Sequence, residues 1–269
     1  MAVRYSEARR LMPRSETMPA GVSGREGFLG AVFDVDGVLV DSPHERAWRD
    51  ALQQLMDTSW SDLRDHAGYA PENFTSELYR EQMSGKPTFS GARAALHHFG
   101  LPVDDERVDE YGRGKQRTME RLLEAEGVAA YPDAVRFVRA VRGAGIPMAA
   151  ASSSKNAANL LARIPLEPGV TLLDAFDVDV SGRDFAHGGK PHPEIFLTAA
   201  RELGVAAERC LVVEDSVSGV QAGTAAEMAV VGLARGGESD VLAEAGADLV
   251  VATLDEVDLA VLAEGRLAN

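Results

Sequence analysis

Six short apolar runs punctuate the chain from residue 28 onward: "FLGAVF", "IPMAAA", "FDVDV", "CLVV", "MAVVGL" and "ADLVV". They are short and largely unbroken, the pattern of strands covered on both faces. Helix-length segments at 193–203, 216–226 and 239–245 separate the later ones. This alternation predicts an α/β fold, a doubly wound parallel sheet, in which ligands sit beyond the carboxyl ends of the strands.

One stretch breaks the rhythm. Residues 44–128 hold no comparable strand and read as helical segments: "ERAWRDALQQLM", "PENFTSELYREQMS", "SGARAALHHFG" and "RGKQRTMERLLEAEG". An insertion of about 85 residues is too long for an ordinary crossover, so a smaller helical domain is expected at 44–128. The α/β core then comprises 28–43 and 129–269, with hinge connections near 41–43 and 127–132. Residues 1–27 carry five arginines and three glutamates without an apolar run, which fits neither a secretory signal nor a transit peptide. A flexible arm is expected there.

Composition limits the partners. With 42 acidic against 27 basic side chains, the formal charge of −15 repels nucleic acid and anionic membranes, and neither is expected as a partner. An anionic substrate would need local cations or a metal at its site. The single cysteine, Cys210, rules out an internal disulfide and reads as core packing in a cytoplasmic protein. No apolar run approaches the roughly 18 residues of a membrane span. A monomer is the default expectation.

The ends of the apolar runs carry the chemistry. In "FDVDGVLVDS", Asp34 closes the first strand, and alternation sends Asp36 to the same side while Gly37 lets the chain turn. Two adjacent carboxylates repel, so a geometry that keeps both contains a cation or splits their protonation states. The early glycine and the preceding strand argue against a calcium-binding EF-hand loop. "AAASSSKN" places Ser152, Ser153 and Ser154 at a strand-to-helix junction, as an anion cradle or an ordinary helix cap. "HGGKPHPEIF" holds Lys190 in a constrained loop, as a phosphate partner or a solvated lysine. None of the Gly-Lys pairs is a P-loop. "CLVVEDS" ends another strand in Glu214 and Asp215, which with Asp34 and Asp36 offer an all-oxygen shell suited to Mg2+. Structural or solvated roles are expected for His97, His98, His187 and His192.

Taken in order, "DVDGV", "SSS", "GGKP" and "VVEDS" resemble the four motifs of the haloacid dehalogenase (HAD) superfamily of aspartate-nucleophile phosphotransferases, and within it the β-phosphoglucomutase-like group. The resemblance spans residues 30 to about 255 and implies a Rossmann-like core with an inserted helical cap. It implies that Asp34 is the nucleophile and Asp36 the general acid and base. It further implies Mg2+ on Asp34, the main-chain oxygen of Asp36, Glu214 and Asp215, and a phosphoryl group gripped by Ser152, Ser153 and Lys190. Half-protonation of Asp36 at pH 7 would require raising its pKa by roughly three units from about 3.9.

What attacks the aspartyl phosphate separates the outcomes: water makes a phosphatase, and a hydroxyl of a bound sugar phosphate makes a mutase. A mutase must also hold a second phosphate. "SSSKN" resembles the mutase pattern, implying distal contacts from Ser154, Lys155 and Asn156; Lys86 of "SGKP" is a further candidate, and Lys115 of "GKQR" stands where these mutases carry a cap lysine. The cap histidine found twelve residues after the nucleophile is replaced by Arg46, with His44 two positions earlier. Either the helix start is shortened or proton control is altered. The expected activity is Mg2+-dependent conversion of β-glucose 1-phosphate to glucose 6-phosphate, with a sugar-phosphate phosphatase as the alternative and a non-catalytic sugar-phosphate sensor as a third reading.

Overall fold

The six apolar runs become strands β1 (Gly30–Phe33), β2 (Met148–Ala150), β3 (Val178–Asp179), β4 (Cys210–Glu214), β5 (Ala229–Leu233) and β6 (Leu249–Val251) in the computed structural model. The structure describes residues 27–264 and 267, apart from 67 and 238, so the expected arm lies, but for Gly27, outside the described residues. The strands form one parallel sheet in the order β6-β5-β4-β1-β2-β3. The chain leaves β1 for β2 and β3 on one side and later returns to β4 on the other, which opens a crevice at the carboxyl end of β1.

Burial on both faces explains the unbroken apolar runs. Along β1, Ala31 and Phe33 enter a core with Phe137 and Phe176, while Val32 points into a second core with Ile195 and Phe196. The Phe33 ring meets Phe137 and Phe176 edge-on at 6.0 and 5.7 Å. Cys210 opens β4 fully buried, as expected, and burial pushes its thiol up to about 11. Phe33 pairs with Ala150 on one side and Val213 on the other, so the strands run out at nearly the same level. That register is what collects the strand-end residues.

The insertion contributes α1 (His44–Asp57), α2 (Ser76–Gln82), α3 (Thr88–His98) and α4 (Asp105–Glu126). Its helices bury their own cluster, including Trp48, Leu52, Met56, Phe99 and Tyr111. On α1 the buried positions Ala47, Trp48, Ala51, Leu52, Leu55 and Met56 follow the helical stripe. Helix α4 starts eight residues before the expected segment. Asp104 caps it by accepting from the Arg107 N–H at 2.9 Å, and Asp105 and Glu106 favour its positive end. The helix tolerates Gly112 because that residue gives the Phe89 ring room: a Cβ there would stand 2.9 Å from it.

Val40–Asp41 pairs antiparallel with Ala129–Ala130, tying together the two chain connections into the insertion. Helices α5 (Pro132–Gly143), α6 (Ala157–Leu161), α7 (Glu194–Leu203), α8 (Val217–Ala225), α9 (Ser239–Glu244) and α10 (Leu259–Ala263) complete the described fold. No helix among the described residues is long and apolar enough to cross a membrane.

Candidate active site

The strand-end residues converge. Asp34 follows β1, and its main-chain N–H donates to Val213 O at 3.0 Å, holding it level with the end of β4. The buried Lys190 ammonium donates to Asp34 Oδ1 and, at 2.5 Å, to Glu214 Oε1. Its cation lies 5.0 Å from the Phe196 ring centre. Glu214 Oε2 accepts from the N–H groups of Asp215 and Ser216, each at 2.9 Å, and from Ser216 Oγ at 3.0 Å. Both oxygens of Glu214 are therefore engaged, one fixing Lys190 and the other the turn that leads into α8.

Gly37 shapes the opposite wall. Its φ of +87° suits glycine, and a Cβ there would sit 1.9 Å from Asp215 Oδ2. Asp36 faces the other way along the crevice. Its Oδ1 accepts from Ser42 Oγ at 2.6 Å and its Oδ2 from Ser152 Oγ at 3.2 Å. His44 Nε2 lies 3.1 Å from Asp36 Oδ1, out of line for a hydrogen bond. Behind it, His44 Nδ1 is 2.8 Å from the Lys115 ammonium, which stands 5.4 Å from the Trp48 ring centre.

The electrostatics differ between the two aspartates. Burial raises Asp34 to about 7, with Glu214 and Asp36 adding to the rise and Lys190 opposing it. Asp215 is pushed well up by burial and by Glu214 and Asp34. Burial also acts upward on Asp36, but His44, Ser42 and Lys115 outweigh it and hold that carboxyl well below the ordinary range. Half-protonation at pH 7 would need a raised pKa; with Lys115 and the His44 ring beside it, the unliganded site instead favours the charged form. Burial brings Lys115 down to about 8 despite Asp36.

The residues expected from the sequence are brought together unequally. Asp34, Asp36, Ser152, Ser153, Ser154, Lys155, Asp215, Lys86, Lys115 and His44 line one cavity of about 530 Å³ between the sheet and the insertion. Glu214 and Lys190 are buried beneath it. Asn156 lies at the start of α6, where its Oδ1 accepts from Gln116 at 3.1 Å and its buried Nδ2 has no hydrogen-bond partner. Lys155 reaches Asp184 at 3.4 Å, and Lys86 donates to Gln82 O at 2.7 Å. Arg46 is not brought in. Two residues beyond His44 it has turned about 200° around the helix, and it forms a bidentate pair with Glu126 at 2.9 and 2.6 Å. Of the two, it is His44 that reaches Asp36.

Two contributors were not anticipated. Ser42 bonds directly to Asp36; its place at the end of the "FDVDGVLVDS" motif was the available signal. Arg235, just beyond β5, donates to Gly37 O at 3.0 Å and Val38 O at 3.2 Å. It also pairs with Asp133 at 3.0 and 3.1 Å and stacks 3.8 Å over Tyr131. This clamp joins the turn after Asp36 to the start of α5. Burial opposes ionisation of Asp133, yet bonds from Arg235, the Leu254 N–H and Thr253 bring it down to about 2.

The donor set suits Mg2+. Asp34, Asp36, Glu214 and Asp215 are four carboxylates, faced by Lys190 at one end and Lys115 at the other. The excess of negative charge calls for a hard cation, which takes oxygen ligands and usually only one or two carboxylates. Among the described residues no three of these carboxylates bring oxygens within 4.8 Å of one another. Two carboxylates with a main-chain oxygen fit better than a cage of three.

The family description of the haloacid dehalogenase-like hydrolases matches residues 29–227. The chain belongs to this family. A β-phosphoglucomutase of Mycobacterium bovis is 33% identical over 253 residues, covering 86% of this chain and 92% of that protein. Hexitol phosphatase A of Escherichia coli is 30% identical over 237 residues, covering 85% and 92%. In a solved archaeal β-phosphoglucomutase from a Pyrococcus strain, 28% identical, the fold superposes with a TM-score of 0.64 over 87% of this chain and 96% of that one. This HAD member falls in the phosphoglucomutase-like group and is an enzyme of the phosphatase and phosphomutase type. The sensor reading is set aside.

Proposed function

We propose that this HAD enzyme moves a phosphoryl group on a small sugar phosphate by way of Asp34, with Mg2+ as cofactor, and that its main reaction converts β-glucose 1-phosphate to glucose 6-phosphate. The observation that carries this reading is the approach of His44 to Asp36 at 3.1 Å, with Lys115 behind it. The acid and base beside the nucleophile is thereby governed by the insertion rather than left to open water. A hydroxyl seated by the insertion can then compete with water for the second step.

In the first displacement an Asp34 oxygen bonds to phosphorus as the bond to the departing oxygen breaks, and Asp36, which must take up a proton as substrate binds because the unliganded site favours its charged form, gives that proton to the departing oxygen. In the second, a sugar hydroxyl bonds to phosphorus, Asp36 takes its proton, and the Asp34 ester bond breaks. Lys190 and the donors of Ser152 and Ser153 offset the charge spread over the phosphoryl oxygens. Mg2+, when bound, supplies further neutralisation and orients those oxygens. Asp34, Asp215 and the main-chain oxygen of Asp36 would hold it. Glu214, expected among the ligands, acts in this reading by fixing Lys190 and the Asp215 turn, because both its oxygens are engaged.

Ser154, Lys155 and Lys86 on the cavity wall, with the buried, partnerless Nδ2 of the adjoining Asn156, support a place for the second phosphate. The insertion supplies the closed side: Ser153 Oγ donates to Gly85 O at 2.9 Å, and Ser218 Oγ to Ser84 O at 2.9 Å. The likeness to a hexitol phosphatase favours the second reading, hydrolysis of a sugar phosphate. Phosphorus NMR with Mg2+, β-glucose 1-phosphate and a trace of the bisphosphate separates them. Glucose 6-phosphate is the expected product; free phosphate alone would replace the mutase with the phosphatase.

A further inference from the structure

The loop that carries Lys190 has ligand chemistry outside the cavity. His187 and His192 stand on either side of Lys190, and their rings stack at 4.8 Å between centres with 17° between planes. Glu194, the first residue of α7, places Oε2 3.2 Å from His187 Nδ1 and 4.0 Å from His192 Nδ1. The three residues offer ligand atoms that all lie within 4.8 Å of one another, the one such group among the described residues. None of the three lines the active-site cavity.

The arrangement is held before any ion arrives. Glu194 Oε2 also accepts from the His187 main-chain N–H at 3.0 Å, and that bond heads the contacts that hold its carboxyl below the ordinary range. The Glu194 N–H reaches His192 Nδ1 at 3.3 Å, which holds the His192 ring against the start of α7. The side chains stay open to solvent, at 68%, 42% and 27% exposure for His187, His192 and Glu194, so an ion can enter without rearrangement of a core.

Zinc bonds to histidine nitrogen and carboxylate oxygen at about 2.0–2.2 Å, which puts tetrahedral ligand atoms roughly 3.3 Å apart. The observed 3.2 and 4.0 Å, in a group whose ligand atoms all lie within 4.8 Å of one another, would draw in around such an ion. Two imidazole nitrogens with one carboxylate select borderline first-row ions such as Zn2+, Co2+ or Ni2+, not Mg2+ or Ca2+, which take oxygen. We propose that His187, His192 and Glu194 form a second divalent-cation site, for a nitrogen-preferring transition metal, that closes the two ends of the Lys190 loop on each other. It is separate from the strand-end carboxylates and does not depend on which phosphoryl acceptor the enzyme uses.

The test uses the full chain without an added histidine tag, in excess Mg2+ to occupy the carboxylate site. Titration with Zn2+ while recording the histidine ring nitrogens by proton–nitrogen NMR is expected to move the His187 and His192 signals together, leaving His97 and His98 in place. Co2+ is expected to bind at one equivalent with a visible d–d band that Zn2+ abolishes. His187→Ala and His192→Ala, both at exposed positions, are each expected to weaken Co2+ binding at least tenfold. The proposal is overturned if the two ring signals do not respond to Zn2+, or if a variant lacking both histidines binds Co2+ with unchanged affinity and spectrum.

Discussion

The sheet and the insertion both reach Asp36, but they build their halves of the site differently. On the sheet side, Asp34, Glu214 and Asp215 stand at strand ends set by register, and Glu214 Oε2 is held by the N–H groups of the next two residues. On the insertion side, His44 and Lys115 meet across 71 residues of sequence, and only because α1 packs on α4. A side chain set by register keeps its place as long as the sheet is paired, whereas one set by helix packing moves with the helices. In the proposed reaction, that difference divides the work: the sheet makes the bond and the insertion bears on the proton.

The hardest test of that division is Asp34→Asn. If the sheet side makes the bond, turnover of any phosphate ester should fall by about 10⁴-fold or more, and no covalently labelled enzyme should survive acid quenching. Near-normal turnover would break the comparison at its root. His44→Ala should lower kcat by about 10- to 100-fold, less than the roughly 10²- to 10⁴-fold that a general acid or base contributes itself. Because His44 helps hold the Asp36 carboxyl down, its loss lets that pKa rise, and the limb of the pH–rate profile that Asp36 sets should move to higher pH. An unchanged limb would remove the insertion from proton control.

Asp133→Asn probes the clamp between the two sides and should act on stability. Losing charge-assisted bonds to Arg235, Thr253 and the Leu254 N–H should cost about 2–3 kcal/mol at pH 7, read from denaturant unfolding. The Asp133 carboxyl is lowered to about 2 in the folded state against about 3.9 unfolded, so its contribution is complete above about pH 4 and fades as the pH falls toward 2. The gap between wild type and variant should close over that window. The smallest effect belongs to Arg46→Ala. Its pair with Glu126 is exposed, so stability should barely change and kcat should not change; a large loss of kcat would return Arg46 to the site.

Before any fold was known, the chain had already declared the sheet side. Unbroken apolar runs ending in Asp34, Glu214 and Asp215 mark strand ends, because a strand covered on both faces cannot hold a carboxylate until it emerges. The helical nature of the insertion was equally legible, since amphipathic spacing is a local property. Tertiary structure alone chose His44 over Arg46, lowered rather than raised Asp36, brought in Arg235 some 200 residues after the turn it clamps, and turned both oxygens of Glu214 inward. Those outcomes depend on which helix faces meet and which charges are desolvated together. Such distances through space are not written in the spacing of residues along one chain.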